Sequence, residues 1–393
     1  MRIWLTILLI IIIQWIALSQ TQFADFIRHV ENINDPFAKT EEVEKFLQKV
    51  QYKGFPLIED NKVTFLYRGN TENVELAGDF NSWGNINRIM LNKLEYTNLF
   101  YYSHTFERDA RIEYKFIIDE EWIIDSLNSH ILEGIYGTNS ELRMPEYKPP
   151  TEINYFETIQ HGQISSFTFQ SAIMKQSFEV QVYLPPEFSK FDYNKYPSIY
   201  FNDGHEYIEY AKAPYIIDNL IHQGKIEQIV AVFIKPNDRG NEYEGEAREN
   251  YSKFLVDELV PYINRRYNTN NNPKNRALMG FALGGSSSGL TCFLYPDTFG
   301  LCGMQSPLIY MNFHEVLNFY KFRDKKNVKI YASWGKYEYL AKNNIPEYMN
   351  SFTESVTKKG YEYHFKVNSE GHSWGQWKAN IDDYLIYFFP KNK

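Results

Sequence analysis

The chain has 393 residues, enough for two domains or one large domain with an addition, and its 44% hydrophobic and 23% charged content is that of a globular protein. A net charge of -8 without a long basic run excludes a nucleic-acid partner as the working expectation. Aromatic residues reach 17%, with 31 Tyr and 29 Phe, a supply that suits both large cores and flat faces for sugars or aryl groups.

Residues 1–19 read as an export signal. Arg2 precedes an apolar run from Ile3 to Leu18, and Ala17-Leu18-Ser19 offers a small-residue cleavage pattern. A retained anchor is the alternative, because the run is nearly long enough to span a bilayer. With cleavage, the mature protein is periplasmic or secreted and has no stable membrane span. No Cys follows the run, which excludes a bacterial lipoprotein. The two cysteines, Cys292 and Cys302, read as buried core thiols.

Residues 20–59 form an N-terminal helical segment. Phe23, Phe26, Ile27 and Val30 recur at helical spacing, as do Val43, Phe46, Leu47 and Val50, with Asn34-Asp35-Pro36 between them. From Lys62 the period changes to two. Val63–Tyr67, Asn73–Ala77, Leu99–Ser103 and Ile112–Ile117 read as short strands of a β-sandwich spanning 60–148. Pro149 and Pro150 stiffen a linker at 149–155.

From 156 to 393 strands and helices alternate, which predicts an α/β fold with a mainly parallel sheet. The strands are Phe178–Leu184, Tyr196–Phe201, Ile229–Ile234, Ala277–Phe281, Leu301–Gln305, Val328–Trp334 and Tyr361–Val367. Helices are expected at Tyr207–Gln223, Tyr251–Arg266 and, as a single terminal helix, Trp374–Phe389.

The chemistry centres on Gly280-Phe281-Ala282-Leu283-Gly284. A strand, a glycine-flanked turn and a helix start make the nucleophile elbow of an α/β-hydrolase, G-x-S-x-G, in which the serine stands at the tip. Here Ala282 occupies that position. The fold orders its triad as nucleophile, acid, His. His372, in Glu370-Gly371-His372-Ser373-Trp374, lies in a loop before the last helix, where the base belongs. Glu338, just beyond a strand, is the acid that would hold the imidazole tautomer. One oxyanion-hole N–H would come from Leu283, the residue after the nucleophile position. The other would come from Gly204 in Asn202-Asp203-Gly204-His205, where a glycine permits close backbone approach to a substrate. The nine histidines lack metal-ligand spacing, so no metal or other cofactor is expected.

These motifs resemble the enterochelin-esterase-like, esterase D-type family. Further carriers are Arg239 with Glu242-Tyr243, Glu258-Leu259-Val260-Pro261, Tyr295-Pro296-Asp297-Thr298-Phe299-Gly300 and Gly371-His372-Ser373-Trp374-Gly375-Gln376-Trp377. The resemblance implies an α/β-hydrolase fold and carboxylic ester hydrolysis of siderophore esters or of feruloyl and acetyl groups on polysaccharides. The ligand it implies is a small-molecule ester, an acylated glycan or a polysaccharide. Gly54–Glu59, Val63–Gly69 and Leu76–Trp83 resemble the early-set, immunoglobulin-like domain that precedes the catalytic domain in that family. The same stretch is similar to a glycogen- and starch-binding module, and that resemblance carries carbohydrate contact onto Trp83, Lys115, Trp122 and Asn139.

The alanine opposes the implied activity, because it offers no hydroxyl for His372 to deprotonate. Loss of such a serine costs about six orders of magnitude in turnover. Ser286 is four residues on, about 6 Å along a helix, and should not reach the elbow tip. Four readings follow: a ligand-binding pseudoenzyme, a hydrolase with a non-standard nucleophile, an esterase whose serine was deliberately replaced, and a structural carbohydrate-binding protein.

Overall fold

The computed structural model describes residues 22–84, 87–134, 137–308, 314–340 and 343–391. The signal expected at 1–19 lies outside them. The chain divides into two compact units, Met1–Tyr147 and Lys148–Lys393.

The first unit opens with helices Gln22–Glu31 and Pro36–Val50. Asp35 caps the second by accepting from the N–H of Phe37 at 3.1 Å, and Pro36 occupies the first turn, where its missing N–H costs nothing. Among the described residues ten strands follow: β1 (Leu57–Glu59), β2 (Lys62–Arg68), β3 (Glu75–Gly78), β4 (Ile89–Met90), β5 (Asn92–Lys93), β6 (Leu99–Thr105), β7 (Arg111–Ile118), β8 (Glu121–Ile123), β9 (Ile131–Gly134) and β10 (Gly137–Arg143). Leu57–Glu59, counted above with the helical segment, is a strand paired with β2. The strands make two antiparallel sheets, β1-β2-β6-β5 and β4-β3-β7-β10-β9, with β8 paired to β7.

Period two assigns the faces. Phe65 and Tyr67 of β2 meet Tyr114 and Phe116 of β7, with ring centroids 4.8 and 5.6 Å apart, and so join the two sheets. Leu66 points the other way and packs with Phe23, Phe26, Val43 and Phe46 of the helices. The helix pair thereby buries the outer face of the four-stranded sheet.

The second unit holds β11 (Gln163–Ser171), β12 (Gln176–Leu184), β13 (Ser198–Phe201), β14 (Val230–Lys235), β15 (Arg276–Phe281), β16 (Leu301–Gln305), β17 (Lys329–Gly335), β18 (Tyr339–Leu340), β19 (Asn343–Asn344) and β20 (Glu362–Asn368). Eight form one sheet in the order β11-β12-β14-β13-β15-β16-β17-β20. β11 and β12 are antiparallel, and every pairing from β14 to β20 is parallel. This is the α/β fold with a β-rich preceding unit that the sequence predicts. β13, β15 and β16 are buried along their whole length, as unbroken apolar runs in a two-sided sheet should be.

The chain leaves β13 for β14 on one side and later returns to β15 on the other. That reversal is a topological switch point at the carboxyl ends of β13 and β15, the place where α/β sheets bind ligands. The loops carrying Gly204, Ala282, Glu338 and His372 all follow strands at this edge.

Three expected helices differ from the sequence reading. Tyr207–Gln223 is two helices, Gly204–Glu209 and Ala213–His222, split where Lys212 takes φ 55°. The terminal helix is also two, Trp374–Lys378 and Ile381–Phe388, split near Asn380, whose side chain donates to the carbonyl of Gln376 at 2.7 Å. Pro261 cannot donate an N–H within its helix, and a π turn over Phe254–Leu259 precedes it.

Candidate active site

The elbow has the backbone of a working one. β15 ends at Phe281, Ala282 takes φ 47°, and the helix Ala282–Leu294 starts at once. A left-handed, non-glycine residue at this point is strained, and strain of this kind belongs to functional turns. The flanking glycines are required by space. A Cβ on Gly280 would lie 2.4 Å from the carbonyl carbon of Gly284, and one on Gly284 would lie 2.6 Å from Asp203 Oδ2. The side chain presented by this turn is a methyl group.

The hydroxyls of Ser286 and Ser288 are committed elsewhere. Ser286 is fully buried and its Oγ donates to the carbonyl of Ala282 at 3.3 Å. Ser288 donates to the carbonyl of Gly284 at 2.9 Å. Both bonds run to backbone carbonyls four residues back in the same helix, so each hydroxyl proton is already engaged.

Glu338 and His372 come together. His372 Nδ1 lies 3.2 Å from Glu338 Oε2, and the imidazole stands edge-on to Trp377 with centroids 5.0 Å apart. Glu338 is fully buried. Its other oxygen, Oε1, accepts from Ser306 Oγ at 2.5 Å, Gln376 Nε2 at 2.7 Å and the Gly335 N–H at 2.8 Å. Trp377 joins the base loop to the elbow, since its indole stacks on Phe281 at 4.3 Å. Neither Ser306 nor Gln376 received a role from the sequence. Gln376 sits in the quoted Gly371–Trp377 motif, but nothing in the sequence ties Ser306 to Glu338.

Gly204 and Leu283 stand at two neighbouring helix starts. Leu283 is the second residue of the elbow helix and Gly204 the first of the helix Gly204–Glu209, positions whose N–H groups have no intrahelical acceptor. Asn202 ties the two together by donating to the Gly284 carbonyl and to Ser288 Oγ, each at 3.1 Å, while accepting from Tyr251 Oη at 3.0 Å. Gly204 also has a packing reason to be glycine. A Cβ there would sit 2.4 Å from the Phe233 and Ile234 backbone, so the constraint is packing against β14.

Beside this loop lies a charged group without an assigned role. Asp203 is fully buried; its Oδ1 accepts from Arg239 Nε at 2.8 Å, and its N–H donates to Tyr243 Oη at 2.9 Å. Burial raises the Asp203 carboxyl above its usual range even against the opposing Arg239 charge. Next to it, Glu206 accepts from the Trp374 indole N–H at 3.1 Å. Burial, with the Asp203 charge adding to it, pushes Glu206 up to about 7.

In the first unit, Trp83 and Trp122 come within 6.4 Å of each other, their planes 30° apart. Trp122 is exposed, while the Trp83 indole donates to Asp79 at 3.1 Å. Lys115 lies on β7 two residues from Ile117, which pairs with Trp122. Asn139 of β10 donates its amide to Glu113 at 2.8 Å. Three of the four expected sugar contacts thus lie on β7 and its neighbours β8 and β10, and Trp83 lies in the 3-10 turn Asp79–Gly84 after β3, with Asn139 and Trp83 already holding internal acceptors.

Cys292 and Cys302 are buried free thiols. Among the described residues no group of His, Cys, Asp or Glu side chains is arranged to hold a metal ion, and no helix is long and apolar enough to cross a membrane.

Comparison with known proteins agrees with this geometry. Residues 171–388 match the family described as "Putative esterase". The chain is 28% identical over 233 residues to the protein YjcH of Bacillus subtilis, covering 56% of this chain and 95% of that one. It is 30% identical over 242 residues to an endo-1,4-beta-xylanase/feruloyl esterase of Xylanibacter ruminicola, covering 58% of this chain but 31% of that protein. In fold it is similar to the ferric enterobactin esterase of Salmonella typhimurium, with TM-score 0.72 at 16% identity over 88% of this chain and 98% of that one. A ferulic acid esterase of Anaeromyces mucronatus gives TM-score 0.51 at 17% identity over 62% of this chain and 96% of that one. The family match spans β12 to β20, the elbow and the Glu338–His372 pair, and the chain therefore belongs to this esterase family, on an α/β-hydrolase scaffold like that of the enterobactin esterases.

Proposed function

We propose that this chain is an exported, ester-binding pseudoenzyme on a carboxylic ester hydrolase scaffold. The observation that carries the reading is Ala282, held at φ 47° at the tip of an otherwise complete elbow. In an active relative, His372 would take the proton of a serine hydroxyl there as the oxygen attacks an ester carbonyl, and Glu338 would hold the imidazole through Nδ1. Leu283 and Gly204 would donate their N–H groups to the carbonyl oxygen. With a methyl group at the tip, the last two functions persist as binding and the first is lost.

The relatives' names support a siderophore ester or a feruloyl ester as the ligand class, and the family resemblance adds acetyl esters borne by a glycan. Export rests on the Arg2 and Ile3–Leu18 pattern. The alternative of a hydrolase with a substitute nucleophile is opposed by Ser286, whose hydroxyl is buried and bonded to Ala282. The test is a paired assay of the native chain and Ala282→Ser on p-nitrophenyl acetate, methyl ferulate and ferric enterobactin. Activity confined to Ala282→Ser supports the reading.

A second reading concerns the first unit. The paired Trp83 and Trp122 rings, one of them exposed, favour stacking on a glycan. Retention on starch, glycogen or xylan that Trp122→Ala abolishes would support it; absence of retention by the native chain would retire it.

A further inference from the structure

The geometry points to Ser306 and Gln376 as positioning residues that dedicate one oxygen of Glu338 to His372. This rests on the reading of Glu338–His372 as the site's acid–base pair. The carboxylate is asymmetrically used. Three donors converge on Oε1, namely Ser306 Oγ at 2.5 Å, Gln376 Nε2 at 2.7 Å and the Gly335 N–H at 2.8 Å. His372 Nδ1 approaches Oε2 at 3.2 Å. A carboxylate held this way on one oxygen cannot rotate without breaking three bonds, so the other keeps a fixed direction toward the imidazole.

Ser306 is itself built for the task. It takes φ 44°, unusual for a non-glycine residue, and it precedes Pro307, which further restricts its backbone. Its N–H donates to the Ser333 carbonyl at 2.7 Å, which pins it at the end of β16. Its Oγ accepts from the Trp377 indole at 2.8 Å. The hydroxyl proton therefore points away from Trp377, with Glu338 Oε1 the nearer acceptor and Gln376 Oε1 the other, at 2.9 Å. Gln376 spends its second amide hydrogen on the Gly371 carbonyl at 2.9 Å, one residue before His372. One amide thus fixes both the acid and the backbone beside the base. A glycine would suit the backbone of position 306 better. What serine adds is the hydroxyl.

The consequence is a fixed imidazole tautomer, with the proton on Nδ1 and a lone pair on Nε2 for the ligand. The experiment is nitrogen-15 NMR of the full chain labelled at histidine, with His372→Gln to assign the signals. The native protein, with its imidazole neutral, should show well-separated His372 shifts marking the Nδ1-protonated form. Ser306→Gly removes the hydroxyl while relieving the backbone, and Gln376→Met keeps the length without the amide. In both, verified as folded by cooperative thermal unfolding, the two shifts should move toward each other as the tautomers mix. Retention of the native separation in both folded variants, with its loss in Glu338→Gln, would overturn the positioning role. Absence of the Nδ1-protonated pattern in the native protein would instead overturn the acid–base pair itself. None of these readouts depends on hydrolysis.

Discussion

Arg239 donates from Nε to Asp203 Oδ1 at 2.8 Å, and Asp203 lies directly against the Cα of Gly284 in the elbow. This ion pair is the brace between the loop carrying Gly204 and the helix carrying Leu283. Arg239 adds to it by spanning the Phe281 ring, with its guanidinium carbon 4.9 Å from the centroid. Arg239→Met removes the cation and leaves a buried carboxylate behind, a loss of about 3–5 kcal/mol in comparable pairs. Urea unfolding of that variant should show a strong drop in midpoint at neutral pH. The drop should shrink in the double variant Arg239→Met with Asp203→Asn, where no charge is stranded.

The pH dependence of stability should carry the signature of Glu206. Its carboxyl is raised to about 7 by burial first and by the Asp203 charge second. Between its unfolded value and 7 the folded state binds more protons than the unfolded state. Stability from this group is therefore present below the unfolded value and lost as pH rises through about 7, by up to about 3 kcal/mol. Asp203, also raised, acts with the same sign. Glu206→Gln should flatten the fall in unfolding free energy between pH 5 and 8, about the interval these values define. An unchanged slope would place the ionised form of Glu206 in the folded protein.

The two elbow glycines should be intolerant of a single methyl group. In Gly280→Ala the new Cβ meets the Gly284 backbone, which cannot move without unwinding the helix start. In Gly284→Ala it meets the Asp203 carboxylate and, at 3.3 Å, the Asn202 Cβ. Overpacking costs about 1–3 kcal/mol where side chains can adjust and more where backbone must shift. Gly280→Ala should therefore lower the thermal midpoint more than Gly284→Ala, and Gly224→Ala, in open space, should show no clash beyond its φ of 65°.

How much of this was legible differs from residue to residue. Ala282, Leu283 and His372 could be placed because the fold repeats a local signal: a glycine-flanked turn, then a loop histidine before the last helix. Glu338 could be placed by its position after a strand, and the structure brings it to His372 at 3.2 Å. Ser306 could not, since its partners Glu338 and Trp377 are 32 and 71 residues away, one after β17, the parallel neighbour of β16, and the other in the helix after β20. β11 is missing from the expected strands, although Ser165, Phe167 and Phe169 are half-buried and their neighbours exposed; it is an edge strand with only two large apolar side chains on its inner face, a weak signal in sequence. The split in the terminal helix comes from a side chain, Asn380, turning back on Gln376, a contact that periodicity cannot reveal. Gly204 was legible as a glycine; its packing reason, the β14 backbone behind it, was not.

The most direct test of the account is ester hydrolysis by the native chain beside Ala282→Ser, with His372→Ala in each background. The native chain should show no turnover above buffer hydrolysis. Ala282→Ser should gain activity that His372→Ala removes, by up to about six orders of magnitude. Native turnover at an ordinary esterase rate, abolished by His372→Ala, would contradict the pseudoenzyme reading.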